Sequence, residues 1–267
     1  MRIPFFRRKS EETPASTPGA PMADVHCHLL PGVDDGSPDW ETTLEMARMA
    51  AADGITHIVC TPHANDVYRY DREAHAALLA EAQERIGESP LLSLGCDFHL
   101  SYSNFQDALR RPERYCIGNT RYLLVEFSDF AIAPNTAELL QELRAAGMTP
   151  IITHPERNPI LSRELETVMQ WAEEGALVQV TGSALLGRWG KKAEQTAHTL
   201  LEAGAVHVLA SDGHNLTGRP PVLSAARDAV ARQYGEEVAR ALVSDNPAAI
   251  VAGEPIPVYL SPEPSAE

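Results

Sequence analysis

The sequence predicts an α/β protein built as a single (β/α) barrel of roughly seven units. Three observations lead there. Short β-branched or apolar runs alternate with helix-length amphipathic stretches, as parallel strands joined by helical crossovers require. Glycine repeatedly stands between a helix and the strand that follows. The polar residues collect at the strand ends, where a barrel builds its active site.

The strand runs are 23–27, 55–60, 91–95, 121–125, 149–153, 176–181 and 206–210. Between them, "WETTLEMARMAAAD" and "NTAELLQELRAA" repeat apolar residues at the three and four spacing of a helix face. "DGITHIVC", "AGMTPIIT", "EGALVQV" and "AGAVHVLA" each place a glycine where the left-handed conformation closes a helix. Ser37-Pro38-Asp39 and Asn246-Pro247 read as helix caps followed by a proline in the first turn. An open doubly wound sheet is the alternative assembly of the same units.

At 267 residues and 44% hydrophobic, the chain is long enough to bury a substantial core. The barrel is expected over residues 22–253. Residues 1–21, basic and then Pro- and Ser-rich, lack the apolar run of a secretory signal and read as a disordered tail. Docking of Phe5-Phe6-Arg7-Arg8 to a membrane surface or a partner is the alternative reading of that tail. Residues 254–267 read as a flexible C-terminal tail, and no segment is apolar for the length of a membrane span. The formal charge of −15 repels a phosphate backbone, which argues against nucleic acid as a partner and suits bound cations. Cys27, Cys60, Cys96 and Cys116 have no close pairing, so a reducing cytoplasm is the expected setting. Composition leaves the oligomeric state open.

The strand ends read "HCH", "CTPH", "GCDFH", "VEF", "THPER", "TGS" and "ASDGH". His26 and His28, one residue apart on a strand, point to the same side. Alone they are equally a polar strand tip with solvated imidazoles. His63, Asp97, Glu126, His154, Asp212 and His214 sit at five further strand ends, and Asp35 lies in the first loop. Five imidazoles and four carboxylates exceed one ion's needs and suit a cluster of two or three divalent metals: manganese, iron or zinc. His57, His75, His198 and His207 fall in helices or early in strands and read as structural or surface residues. His99, just past a tip, is open to a supporting or substrate role.

Arg157 and Arg219 follow two of these segments, and a guanidinium fork matches phosphate oxygens, although a surface ion pair is the ordinary alternative. Cysteine chemistry is excluded by spacing. A phosphatase thiol needs arginine six residues on, and Val33, Asp66, Tyr102 and Tyr122 stand there instead. Cys27 is expected to face away from its histidine neighbours.

"DVHCHLLPGVDDG", "IVCTPH", "LVEFS", "ITHPERN" and "LASDGHNLTGRPP" resemble the PHP (polymerase and histidinol phosphatase) superfamily, and most closely its bacterial protein-tyrosine phosphatases of capsule and exopolysaccharide biosynthesis. The resemblance runs from about Ala23 to Val251. It implies a distorted TIM-like (β/α)7 barrel with a trinuclear, usually manganese-dependent site. By motif, the ligands would be His26, His28, Asp35, His63, Asp97, Glu126, His154, Asp212 and His214. Arg157 and Arg219 would grip the phosphate, and His154 and Asp212 would be needed for catalysis. One position departs: the third-strand ligand in these phosphatases is commonly glutamate, and Asp97 is one methylene shorter, so His99 could take up part of the vacancy. The implied reaction is hydrolysis of a phosphomonoester by a water that the metals acidify. The implied substrate is the phosphotyrosine tail of a bacterial tyrosine autokinase that controls polysaccharide assembly. A small-molecule phosphatase such as histidinol-phosphatase, or a noncatalytic accessory domain, are the other readings the superfamily supports.

Overall fold

The computed structural model describes residues 20–257. Its strands, in chain order, are β1 (Met22–Cys27), β2 (Ile55–Cys60), β3 (His63–Ala64), β4 (Leu91–Leu94), β5 (Asp97–His99), β6 (Tyr122–Glu126), β7 (Thr149–Thr153), β8 (Leu177–Thr181) and β9 (Val208–Ala210). All pairings are parallel, in the orders β1-β2-β4 and β3-β5-β6-β7-β8-β9. Every predicted strand run is present. β3 and β5 are additional, and each resumes its predecessor after a two-residue break, at Thr61-Pro62 and at Gly95-Cys96. Nine short strands therefore form seven staves. A Cβ on Gly95 would lie 2.9 Å from Val59 Cγ1, so the second break is a place where two neighbouring staves approach closely.

The ring closes between its first and last staves. Cys27 bridges in parallel to Gly213, the His28 N–H donates to the Gly213 carbonyl at 2.8 Å, and the Asp212 N–H donates to the His26 carbonyl at 2.9 Å. The result is a distorted barrel rather than an open sheet. Period-two alternation sorts each strand: Val25, Val59, Tyr122, Leu124, Ile151 and Val208 enter one apolar cluster, while Leu123, Val125, Ile152 and Val180 face the larger core shared with the helices. On β6 the first face continues Tyr122, Leu124, Glu126, changing from apolar to acidic at the strand tip.

The helices α1 (Trp40–Ala52), α2 (Arg72–Ile86), α3 (Tyr102–Arg110), α4 (Thr136–Ala145), α5 (Leu165–Glu173), α6 (Gly182–Leu185), α7 (Lys191–Glu202), α8 (Ser224–Tyr234), α9 (Glu236–Arg240) and α10 (Asn246–Ala252) fill the crossovers and the C-terminal end. The four predicted junction glycines, Gly54, Gly147, Gly175 and Gly204, all have φ between 69° and 100°. The two predicted caps need correction. Asp39, after Pro38, caps α1 by accepting from Thr42 N–H at 2.8 Å, so the proline precedes the cap. Asn246 caps nothing: a π-helical turn, Ala241–Asp245, runs straight into α10, and the Asn246 amide instead donates to the His207 carbonyl at 2.8 Å.

The packed region runs past residue 253. The Tyr122 hydroxyl donates to the Glu254 carbonyl at 2.5 Å and Ile256 is buried. The rest of both predicted tails, including Phe5-Phe6-Arg7-Arg8, lies outside the described residues. Among the described residues no helix is long and apolar enough to cross a membrane.

Candidate metal centre

The strand ends bring the nine predicted residues into one region. His26 and His28 leave β1 with their Nε2 atoms 3.2 Å apart. The ring of His28 lies 4.5 Å from that of His63 and 3.9 Å from that of His214. Asp35, from the loop after β1, approaches His63 at 3.2 Å and His214 at 3.5 Å. Asp97 is 3.2 Å from His63 and 3.5 Å from His26, and Glu126 is 3.7 Å from His63. Asp212 Oδ1 is 3.4 Å from His26 and 3.5 Å from His28, while the His154 ring sits 5.6 Å from that of His26. Cys27 turns the other way, into the core shared with the helices, with Sγ on the Gly213 carbonyl. Burial pushes its thiol well above the usual range, as expected of a residue that takes no part in nucleophilic chemistry.

Three groups of side chains each present donor atoms within 4.8 Å of one another: His28, Asp35, His63 and His214; His26, His28 and Asp97; and His63, Asp97 and Glu126. His28, His63 and Asp97 are each shared between two groups, the arrangement adjacent ions require. His154 and Asp212 fall outside these groups. Both have left-handed backbones, φ 35° and 51°, which among the described residues occurs at no other non-glycine position. Such strain, held in place by surrounding structure, concentrates at working sites.

The donor chemistry fits divalent cations. Both Asp97 oxygens, Asp212 Oδ1, His63 Nδ1 and His214 Nε2 are buried without a hydrogen-bond partner. Burial alone would keep the imidazoles neutral, yet Asp34 and Asp212 raise His28 to about 9, and Asp35 and Asp97 raise His63 to about 11. The carboxylates thus hold positive charge in a dry place, which is what a cation site does. His154 and His214 go the other way: burial, with Arg157 beside the first and His28 beside the second, pushes both down, His214 to about 4.

Supporting residues fix the ring orientations. His28 donates from Nδ1 to Asp34 at 2.7 Å, and His26 from Nδ1 to Gln179 Oε1 at 3.0 Å, so both rings turn Nε2 into the centre. Asp34, next to Asp35 in the chain, also accepts from the Gly36 and His63 N–H groups at 2.9 and 3.1 Å. Asp24, buried below His26, accepts from Ser211 N–H and hydroxyl and so ties β1 to the end of β9; burial raises its carboxyl to about 6. Sequence reasoning missed Gln179, although a glutamine inside the apolar run "LVQVT" is a legible signal, since a buried amide needs a partner. Of the histidines read as structural, His57 bonds Ser93, His198 bonds Tyr234 and His207 accepts from Val178 N–H, while His75 packs edge-on against Tyr70. His99 stands at the rim, 3.5 Å from Glu126.

The two arginines arrive on preformed turns. Asn215 Oδ1 accepts from the N–H groups of Thr217, Gly218 and Arg219, curling "HNLTGR" back so that the His214 N–H meets the Arg219 carbonyl at 2.7 Å. Arg157 closes a turn onto the His154 carbonyl at 3.0 Å. Both guanidiniums reach the same atom, Asp212 Oδ2, at 2.5 Å from Arg157 and 2.6 Å from Arg219. Nε and Nη1 of Arg157 and Nε of Arg219 remain buried without an acceptor. These are not surface ion pairs: both guanidiniums contact a buried carboxylate of the cluster and keep donors to spare. Trp189, from the turn before α7, covers Arg157 at 4.1 Å and lies 5.4 Å from Arg219.

The sequence and the fold are similar to those of named tyrosine phosphatases. The chain is 33% identical over 221 residues to the Bacillus subtilis tyrosine-protein phosphatase YwqE, covering 81% of this chain and 87% of that protein. It is 28% identical over 239 residues to the Streptococcus pneumoniae tyrosine-protein phosphatase CpsB, covering 86% and 98% respectively. It superposes with a TM-score of 0.84, at 29% identity, on a chain from crystal structures of B. subtilis YwqE and S. pneumoniae CpsB, described as metal-dependent tyrosine phosphatases; the match covers 92% of this chain and all of that one. The capsular polysaccharide synthesis CpsB/CapC family model matches residues 22–252, the whole barrel with every strand-end donor, and the chain belongs to that family.

Proposed function

We propose that this chain is a metal-dependent protein-tyrosine phosphatase. The observation that carries the reading is the pairing, on one barrel face, of a partner-poor carboxylate and imidazole cluster with two guanidiniums that share its Asp212 and keep unpaired donors. His26, His28, Asp35, His63, Asp97, Glu126, His154, Asp212 and His214 would hold two or three divalent ions, manganese by preference, with iron or zinc as competitors. Bound there, the ions would acidify a water toward neutral pH and neutralise charge on the phosphoryl oxygens.

The remaining work falls to the chain. Arg157 and Arg219 hold two phosphoryl oxygens through their spare N–H groups and stabilise the charge that grows there in the transition state. Asp212 restrains both guanidiniums through Oδ2 while its Oδ1 faces the imidazoles. Asp34 and Gln179 accept from Nδ1 of His28 and His26 and so keep Nε2 of both rings turned inward, the nitrogen each would offer to a metal. A phenolate leaves readily, so the demand for a general acid is small. No thiol takes part, because all four cysteines are buried and free.

The substrate we assign is the phosphotyrosine tail of a bacterial tyrosine autokinase in capsule or exopolysaccharide synthesis, met in the reducing cytoplasm that four unpaired cysteines suit. A flexible tail can reach a site floored by strand tips. The test is hydrolysis of para-nitrophenyl phosphate and of a phosphotyrosyl peptide by purified protein. Activity is expected to vanish on chelation and return with manganese. Activity that survives exhaustive chelation but is lost on thiol alkylation sinks the reading, and a higher kcat/KM for histidinol phosphate than for the peptide reassigns the substrate.

A further inference from the structure

The proposed phosphate grip has a component that neither the motifs nor the donor cluster accounts for. Trp189 is 39% exposed, an unusual state for an indole, and it stands directly over the guanidinium of Arg157 at 4.1 Å with that of Arg219 at 5.4 Å. Its position is fixed on three sides. The indole N–H donates to Ser183 Oγ at 2.9 Å. The turn that carries it is closed by Gly187 N–H to the Ala184 carbonyl at 3.0 Å and Arg188 N–H to the Ser183 carbonyl at 3.1 Å. Gly187 and Gly190, on either side, have left-handed φ of 73° and 86°, which lets the chain reverse tightly around the ring.

Two guanidiniums so close to one another repel, and the repulsion is offset by Asp212 Oδ2, which both contact, and by Asp35 at 4.0 Å from Arg219 alone. An indole face supplies the negative quadrupole from another side without offering an acceptor that competes for the donors. We propose that Trp189 is a positioning residue of the phosphatase reaction, a π platform that holds Arg157 and Arg219 together so that both forks meet one phosphate dianion. This rests on the phosphatase reading above and adds to it the part that gathers the anion. A phosphate with no organic group is bound through the same platform, since the indole acts on the arginines and not on the substrate's ring.

The test uses the manganese-loaded full chain and the variants Trp189→Ala, Trp189→Leu and Trp189→Phe. Each is assayed for kcat and KM on para-nitrophenyl phosphate, for inhibition by inorganic phosphate, and for metal content. Trp189→Ala and Trp189→Leu are expected to raise KM and the phosphate inhibition constant together by about three- to thirtyfold, the range of a partly desolvated cation–π contact, with metal content unchanged. Trp189→Phe, which keeps a π face, recovers most of the loss. Leucine fills the space without the quadrupole, so a Trp189→Leu protein equal to wild type overturns the proposal even if the alanine variant fails to fold. Loss confined to the aryl phosphate, with phosphate inhibition unaltered, overturns it in favour of a ring-stacking contact. Wild-type protein that neither hydrolyses the aryl phosphate nor is protected by phosphate against thermal unfolding overturns the phosphatase reading, and this assignment with it.

Discussion

His28 donates from Nδ1 to Asp34 at 2.7 Å, and that single bond fixes which nitrogen of His28 faces the cluster. Asp34 is itself held by the N–H groups of Gly36 and His63, so loop and strand tip share one anchor. Removing the carboxylate frees the His28 ring and leaves the His63 N–H without its acceptor. Asp34→Ala is expected to weaken metal binding by about 10- to 100-fold, as outer residues of metal sites commonly do. Titration of activity against manganese checks it: the half-saturating concentration rises, and activity returns at excess metal. A variant with the wild-type titration curve would show that Asp34 is only a loop tether.

How far the sequence foretold this can be seen residue by residue. The seven staves were legible because glycines with left-handed φ stand before four of them and because the strand runs are rich in β-branched and apolar residues, as in "TPIIT" and "LVQVT". β3 and β5 were not, since two or three residues after a break carry no periodicity, yet His63 and Asp97 begin them. Eight of the nine candidate donors were legible as strand ends, and Asp35 as a residue of the first loop. What sequence order could not convey is the orientation of Asp212, whose one oxygen faces the imidazoles while the other gathers two arginines. Trp189, in "GRWG", follows α6 rather than a strand tip, and only the folded turn brings it over Arg157.

Gly36 illustrates a backbone constraint within the first motif. A Cβ there would overlap the carbonyl oxygen and Cβ of His28 and press Asp34 Oδ1 at 3.0 Å. Neither His28 atom belongs to a flexible chain end, so the loop must move. Gly36→Ala is expected to destabilise the protein by about 1–3 kcal/mol, the range for forced overpacking, and to lower metal affinity as well because Asp34 and Asp35 ride on that loop. Urea unfolding and metal titration of the same sample check both effects. An unchanged midpoint refutes the clash.

His207 should make the fold acid-sensitive independently of the metal site. Burial pushes its imidazole from 6.5 down to about 4, and it accepts from Val178 N–H at 3.1 Å. Above pH 6.5 both folded and unfolded chains hold it neutral, and stability is unaffected. Below 6.5 the unfolded chain binds a proton that the native state refuses, so stability falls with pH until about pH 4, by on the order of 3 kcal/mol in all. His207→Gln keeps a hydrogen-bond acceptor and cannot titrate. Unfolding of chelated wild-type and variant protein between pH 7 and 4 is expected to give a shallower acid loss for the variant, the difference being the His207 contribution. Parallel curves would refute it.

Asp97 is the ligand at which the sequence reading expects a departure from a longer glutamate, and in the fold the shorter side chain still reaches several imidazoles. It is fully buried at the start of β5, with neither oxygen hydrogen-bonded, 3.5 Å from His26 and 3.2 Å from His63. It thereby joins two donor groups, one with His26 and His28 and the other with His63 and Glu126. Burial opposes its ionisation, but the neighbouring imidazoles, His26 foremost, hold it well below the usual carboxylate range, so it meets cations as an anion. His99 stands at the rim, 3.5 Å from Glu126. Asp97→Asn preserves shape and removes the charge. The expected outcome is loss of about one equivalent of metal per chain by elemental analysis and a fall in kcat of at least about a hundredfold. His99→Ala should keep its full metal complement. If instead His99→Ala loses metal and Asp97→Asn does not, the bridging role belongs to His99.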